Sequence, residues 1–277
     1  MQADLRRLQL TQLETLLVID GICKQHGIAY SLYAGSLLGA VRHQAFIPWD
    51  DDLDICMNRS DYDRFLKIWE ASPPEGYILQ NKENSPLFTQ SFTKIRKDHT
   101  TFLQSEEEAG RYHTGIFVDI FPADRIPEGK LAQAIYRWDC MRYQLLTREF
   151  VPPKGGRLTR AVSAVMLAAT PERKRAEKRQ RLLARITRYQ HRRDLPIIFI
   201  ETVASMKALY PAEMMDQFVY LPFEGSEIQC VSQWDLNLRL KFGDYMQLPP
   251  EEERVWKHHP IIVDFEHNYE CLPENLK

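Results

Sequence analysis

Apolar residues recur at helical spacing near the start of the chain, where Leu13, Leu16, Leu17, Ile19 and Ile22 share a stripe that Gly27 ends as a C-cap. Thr11-Gln-Leu-Glu14 has the form of a capping box, although the stripe also allows a start near Asp4. The spacing then predicts a short strand over 29–33, a turn at Gly35-Ser36 and a helix over 37–41. A second strand is expected over 53–57, and Ser60 is placed to cap a helix reaching about Trp69. Further strands are expected over 77–79, 91–96 and 116–121, with Pro122 closing the last. From Glu128 the pattern is helical to about Leu209, with the proline- and glycine-rich 152–156 as its clearest break. The tail returns to mixed structure and is turn-rich at Leu248-Pro249-Pro250. The expected fold class is α/β (α+β): a mixed sheet flanked by helices over 1–127, a mainly helical basic region over 128–210, and a C-terminal segment, 211–277, packing back on the core.

Composition narrows the function classes. The 277 residues are 44% hydrophobic and 27% charged with a net charge of -2, which argues against a general nucleic-acid binder. The five cysteines are scattered and form no C-x-x-C pair. A zinc knuckle or disulfide framework is therefore not expected, and a reducing cytoplasm is the natural compartment. Charges inside the first apolar stripe make it an amphipathic helix rather than a signal peptide. No run approaches the roughly 20 apolar residues of a membrane span.

Asp50-Asp-Asp-Leu-Asp54 is the densest charge feature. On a strand, Asp52 and Asp54 would share one face while Leu53 and Ile55 enter the core. Two adjacent carboxylates repel unless a divalent cation lies between them, and oxygen-only ligands suit Mg2+ or Mn2+, which grip phosphate oxygens. The alternative is a solvated acidic turn. Asp119, alone in the apolar run Phe117-Val-Asp-Ile-Phe121, is costly without a partner. It is either a third metal carboxylate or a satisfied structural acid, whereas Asp124 is expected in a loop after Pro122. At Gly35-Ser36, glycine lets the backbone approach an anion, and the serine hydroxyl and helix N–H groups can bind it. A Gly-Ser turn, an Asp-x-Asp strand and a later strand aspartate together match the nucleotidyltransferase superfamily pattern.

The segments Tyr33-Ala-Gly-Ser-Leu-Leu-Gly-Ala-Val-Arg-His43 and Phe46-Ile-Pro-Trp-Asp-Asp-Asp-Leu-Asp-Ile55 resemble the signature of the LicD family. Lys94-Ile-Arg-Lys-Asp-His-Thr-Thr-Phe102, Val118-Asp-Ile-Phe-Pro-Ala-Asp124, Leu221-Pro-Phe-Glu-Gly225 and Phe242-Gly-Asp-Tyr-Met-Gln-Leu-Pro-Pro250 resemble later blocks of that family. The stretch from Ile228 to Trp234 departs from it. The resemblance implies a nucleotidyltransferase-like core that moves phosphocholine, or in relatives such as the fukutin group a polyol phosphate, from a CDP-alcohol to a surface-glycan sugar, releasing CMP. Lipopolysaccharide and teichoic acid are glycans of that class, and a lipid-linked oligosaccharide is another acceptor. By position, Asp52, Asp54 and Asp119 would be the metal carboxylates, Gly35 and Ser36 the phosphate turn, and Asp50 and Asp51 its support.

A diphosphate donor also needs positive charge. Arg42, Lys94 and Arg96 are nearest in sequence, and Lys94 and Arg96 would face one side of a strand; ordinary surface charge is the alternative. Asp119 is the expected general base for the attacking hydroxyl. Tyr33, Trp49, Trp234 and Tyr245 could hold a quaternary ammonium or be core. Glu224 and His258-His259 are placed by the matching blocks as substrate contacts. The stretch 154–193 holds 13 Lys/Arg and 2 Glu; it is either a solvated basic face or a peripheral contact with an anionic membrane. The functional expectation is a CDP-alcohol phosphotransferase. Its alternatives are a nucleotidyltransferase that transfers NMP from a triphosphate and a non-catalytic nucleotide-binding protein.

Overall fold

The computed structural model describes residues 2–152 and 156–274. The chain begins with α1 (Gln2–His26), which passes through Thr11 without a break. The Thr11 hydroxyl donates back to Arg7 O at 2.8 Å instead of capping a helix. Gly27, at φ +59, ends α1 as expected. There follow β1 (Ser31–Leu32), α2 (Ala34–His43), β2 (Asp54–Asn58), α3 (Arg59–Ala71), β3 (Tyr77–Gln80), β4 (Thr93–Lys97), β5 (Thr101–Leu103) and β6 (Phe117–Arg125). Next come α4 (Lys130–Arg148), α5 (Arg157–Ala168), α6 (Glu172–Thr187) and β7 (Ile197–Phe199). The last elements are β8 (Phe218–Phe223), β9 (Ser226–Val231), α7 (Trp234–Phe242) and β10 (Ile262–Asp264). Of the break expected over 152–156, residues 153–155 lie outside the described residues, as does Lys154 of the basic stretch.

The protein is a mixed α/β structure whose sheet is flanked by helices. Its residues form two compact units: 1–80, 92–122 and 213–277 in the first, and 81–91 with 123–212 in the second. In the first, the strand order is β1-β2-β6-β4-β3, and β4 pairs antiparallel with both β3 and β6. The hairpin β8–β9 and the pair β5–β10 stand outside that sheet. Phe102, Ile116 and Phe117 pack against Leu5 and Leu8 of α1, and Leu13, Leu16 and Ile19 of the stripe seen in the sequence are buried, while Leu17 is exposed.

The expected end of a strand at Pro122 is corrected: β6 continues through it to Arg125 and is buried along its length. Residues 117–120 pair with β4, whereas 123–125 pair with β7. Pro122 falls between the two partners, where its missing N–H costs no ladder bond. Asp124 is accordingly on a strand and fully buried, not in a loop. In the second unit, Tyr136, Cys140 and Tyr143 of α4 share a core with Leu182 and Ile186 of α6 and with Ile198. The expectation of a helical pattern from 128 to 209, broken most clearly at 152–156, missed β7, whose three residues are too few to show an alternation.

Candidate active site

The acidic run lies between α2 and β2, and local packing fixes the path into it. Gln44 adopts φ +53 and closes α2 with its N–H on Ala40 O. The chain then folds back so closely that a Cβ on Gly39 would lie 2.5 Å from Ala45 O. Two buried glutamines of α1 hold the run from behind. Gln9 Nε2 donates to Asp50 O at 2.9 Å, and Gln12 Nε2 to Asp51 O at 2.9 Å. Polar residues on an otherwise apolar stripe were the signal for these two, and the sequence reading passed over them.

Asp52 was expected on a strand beside Asp54, but β2 begins at Asp54 and Asp52 precedes it in extended chain. Leu53 and Ile55 are both buried as alternation requires. Asp119 N donates to Leu53 O at 2.9 Å, which brings β6 alongside the run. Among the described residues, the carboxylates that converge are Asp50, Asp51 and Asp52, with one oxygen of each within 4.8 Å of the others. This differs from the expected trio of Asp52, Asp54 and Asp119. The reason is that Asp119 is already engaged: Lys94 Nζ, on the register partner of Asp119, lies 2.6 and 2.9 Å from its two oxygens. The Asp119 and Asp54 charges both act on Lys94, and the Asp119 charge acts on Asp52, so the two groups of acids are electrostatic neighbours.

The acids differ in their partners. Asp51 is fully buried and accepts from His258 N at 3.0 Å and His258 Nδ1 at 3.0 Å. Burial opposes its charge, but these bonds outweigh burial and hold its pKa below the usual range. Burial likewise opposes charge on His258, yet the bond to Asp51 and the charges of Asp52 and Asp51 raise its pKa. His258 Nε2 lies 3.8 Å from Asp52. Asp50 is 2% exposed, and its Oδ1 has no hydrogen-bond partner, with Lys257 Nζ 3.8 Å away. Burial and the charge of Asp52 push its pKa up to about 7. Asp52 is also raised, by burial and by Asp119 and Asp51, against the pull of His258.

Gly35 and Ser36 are not a turn before the helix but the first turn of α2 itself. A Cβ on Gly35 would lie 2.5 Å from Asp50 Oδ2, so the residue is glycine because a carboxylate packs against its backbone. Ser36 Oγ accepts from Asp54 N at 2.8 Å and ties the start of β2 to α2. Ala34, immediately before them, sits at φ +48, a strained conformation for a residue with a Cβ.

The basic residues divide. Lys94 and Arg96 do face one side, over the ring of Phe117, at 3.2 and 5.2 Å from its centroid. Arg96 is buried, and it donates through Nε to Gln80 Oε1 and through Nη1 to Gly115 O. Burial lowers its pKa to about 10. These bonds make it a clamp between β3, β4 and the chain before β6. Arg42 donates to Tyr245 O at 2.9 Å and lines a cavity of about 520 Å³ with Trp49, Tyr245, Asp244 and Lys257. Trp49 and Tyr245 thus border open space near Asp50. Tyr33 is buried with its hydroxyl accepting from Lys241. Glu224, at φ +52 in the hairpin turn, binds Arg6 through both oxygens at 2.8 and 2.6 Å and accepts from Phe46 N. Its bonds are those of a latch between α1, the β8–β9 turn and the chain leading to the acids. His259 borders a second cavity, of about 980 Å³, which shares Trp49 with the first.

Whether a hard cation fits can be judged from charge. Asp50, Asp51 and Asp52 converge, with Asp54 and Asp119 as electrostatic neighbours, against Lys94, His258 and the more exposed Lys257. An all-carboxylate donor set with a surplus of negative charge and one unpartnered buried oxygen fits Mg2+ or Mn2+.

Residues 27–149 match the family described as "LicD/FKTN/FKRP, nucleotidyltransferase domain". Over 261 residues the chain is 28% identical to the lipopolysaccharide cholinephosphotransferase LicD of Haemophilus influenzae, covering 92% of this chain and 96% of that protein. It is 48% identical over 42 residues to the mouse and human ribitol 5-phosphate transferase FKRP, which is 15% of this chain and 8% of theirs. An uncharacterised protein of Rickettsia prowazekii is 27% identical over 135 residues, half of its length. The match is nearly end to end with a transferase, and it includes the segment that carries the converging acids. Residues 27–149 thus resemble the LicD family's domain, and the chain is similar over most of its length to a phosphotransferase that bears the family's name.

Proposed function

We propose that this protein transfers a phosphorylated alcohol, phosphocholine in the first instance, from a CDP-alcohol to a hydroxyl of a surface-glycan sugar and releases CMP. The observation that carries this reading is the meeting of Asp50, Asp51 and Asp52, one with a buried oxygen that has no hydrogen-bond partner, next to Lys257, which lines a cavity with Arg42. A family relative named for cholinephosphate transfer to lipopolysaccharide supports the choice of cargo and acceptor.

Asp52 and Asp54 are the residues we assign to a divalent cation, with Asp50 and, on β6, Asp119 as their neighbours. A Mg2+ ion bound there would supply charge neutralisation for the donor diphosphate and for the phosphoryl group in flight. The chain's own groups do the rest. Arg42 and Lys257 attract the diphosphate into the cavity beside Asp50. Trp49 and Tyr245 offer aromatic faces to a quaternary ammonium. Lys94 fixes the Asp119 carboxylate, which takes the proton of the attacking sugar hydroxyl as its oxygen bonds to phosphorus and the bond to the CMP oxygen breaks. His258 holds Asp51 as an anion, which keeps the run of acids in one conformation.

The test is product analysis with CDP-choline, CDP-glycerol, CDP-ribitol and nucleoside triphosphates, each with a glycan acceptor and Mg2+. Release of CMP from one CDP-alcohol, with a new phosphodiester on the acceptor, is expected. Pyrophosphate from a triphosphate, with NMP on the acceptor, would replace this reading with nucleotidyl transfer.

A further inference from the structure

The second compact unit exposes apolar side chains in two aligned stripes. On α4, Leu131, Ile135 and Trp138 are 76, 49 and 45% exposed and recur at i, i+4 and i+7. On α5, Leu158, Val162 and Val165 are 79, 40 and 67% exposed at the same spacing. Of the α5 residues only Leu167 is buried, so this helix turns most of its apolar surface outward. The next positions of the stripes, Arg142 and Ala169, line the same cavity of about 270 Å³, together with Trp138 and Met166. Both stripes therefore run to one place.

Charge identifies what covers them. α5 carries Arg157 and Arg160 and no acid. The cavity has Arg142 and Lys178 at its edge over apolar Leu146 and Met166. Asp139 is occupied by Arg142 and Arg185, and Glu149 by Lys82 and Arg175. A second copy of this face would bring like charge against like. A nucleic acid would match the charge, but Trp138 alone of the six stripe residues offers it a face to stack on, and the five aliphatic ones do not. An anionic lipid surface matches both, with hydrocarbon for the stripes and headgroup phosphate for the arginines. No described helix is long and apolar enough to cross a membrane. We propose that the α4–α5 face is an interfacial docking site for an anionic lipid bilayer, with Leu131, Ile135, Trp138, Leu158 and Val165 entering the acyl boundary and Arg157 and Arg160 contacting lipid phosphate.

The test is co-sedimentation of the full chain with phosphatidylglycerol vesicles and with phosphatidylcholine vesicles at low salt. Binding to the first and not the second is expected, and it weakens as salt rises. Leu131→Glu/Val165→Glu lowers the partition coefficient by about tenfold or more. Arg157→Gln/Arg160→Gln abolishes the preference for anionic lipid while the fold, read by circular dichroism, is unchanged. Both substitution sets lie on exposed positions, and CMP release with a water-soluble acceptor stays at the wild-type level, so failure here leaves the catalytic proposal standing. No binding to phosphatidylglycerol, undiminished binding of the glutamate variant, or a solution dimer that this variant dissociates would each overturn the assignment.

Discussion

Gly35 and His258 show how single residues set the geometry of the acids. An alanine at position 35 would place its Cβ 2.5 Å from Asp50 Oδ2, so the carboxylate must move. A misplacement of about 1 Å in an active site costs on the order of 100-fold in rate. Gly35→Ala is therefore expected to retain its fold by circular dichroism and to lose CMP release to that degree. His258→Ala removes the imidazole that binds Asp51, an acid with no exposed surface. Two backbone N–H groups remain, at 3.4 and 3.0 Å, which softens the penalty of a buried charge to about 2 kcal/mol. Urea denaturation measures it, and an unchanged midpoint would mean that Asp51 does not depend on the histidine. The acidic run 50–54 and Gly35 stood out in the sequence because their spacing is local, but which three acids meet did not. The contact between Asp51 and His258 spans 207 residues, and no local pattern announces it.

At the scale of elements, α1 and the β8–β9 hairpin hold the loop that carries the chemistry. Arg6 on α1 meets Glu224 in the turn, and Glu224 also receives Phe46 N. The bond to Arg6 lowers the pKa of Glu224 below its ordinary 4.5, against the effect of burial. The latch therefore stabilises the fold fully above pH 4.5 and loses its contribution as pH falls through the lower, folded value. Because Arg6 is half exposed, solvent screening holds the contribution to about 1 kcal/mol. The stability difference between wild type and Glu224→Gln, measured by urea titration, is expected at pH 7 and shrinks in acid. A difference that persists unchanged well below pH 4.5 would contradict the latch. The long elements α1, α3 and β6 and the short strand at β1 were readable, whereas β5, β7 and β10, of three residues each, were not. Pro122 misled for a physical reason: proline stops a strand only where an N–H is needed, and here the strand changes partners.

At the scale of the whole molecule, a net charge of -2 conceals a segregation of charge. Negative charge gathers around Asp50–Asp54 and Asp119, while the stretch 154–193 holds 13 of the 36 Lys and Arg residues. The sequence showed that basic stretch but not the apolar stripes beside it, because exposure of Leu158 and Val165 is a property of packing. The surplus of carboxylates also predicts that millimolar Mg2+ raises the melting temperature of the wild type and that EDTA reverses the rise. The account's central claim is that these acids, with a divalent cation, drive departure of CMP from a CDP-alcohol. Its most direct test is the rate of CMP release from CDP-choline in the presence of a glycan acceptor, comparing wild type and Asp54→Asn with Mg2+ and with EDTA. The account predicts release by the wild type with Mg2+ alone, and none above background in the other three conditions. CMP release by Asp54→Asn at the wild-type rate, or release that EDTA leaves unchanged, would contradict it.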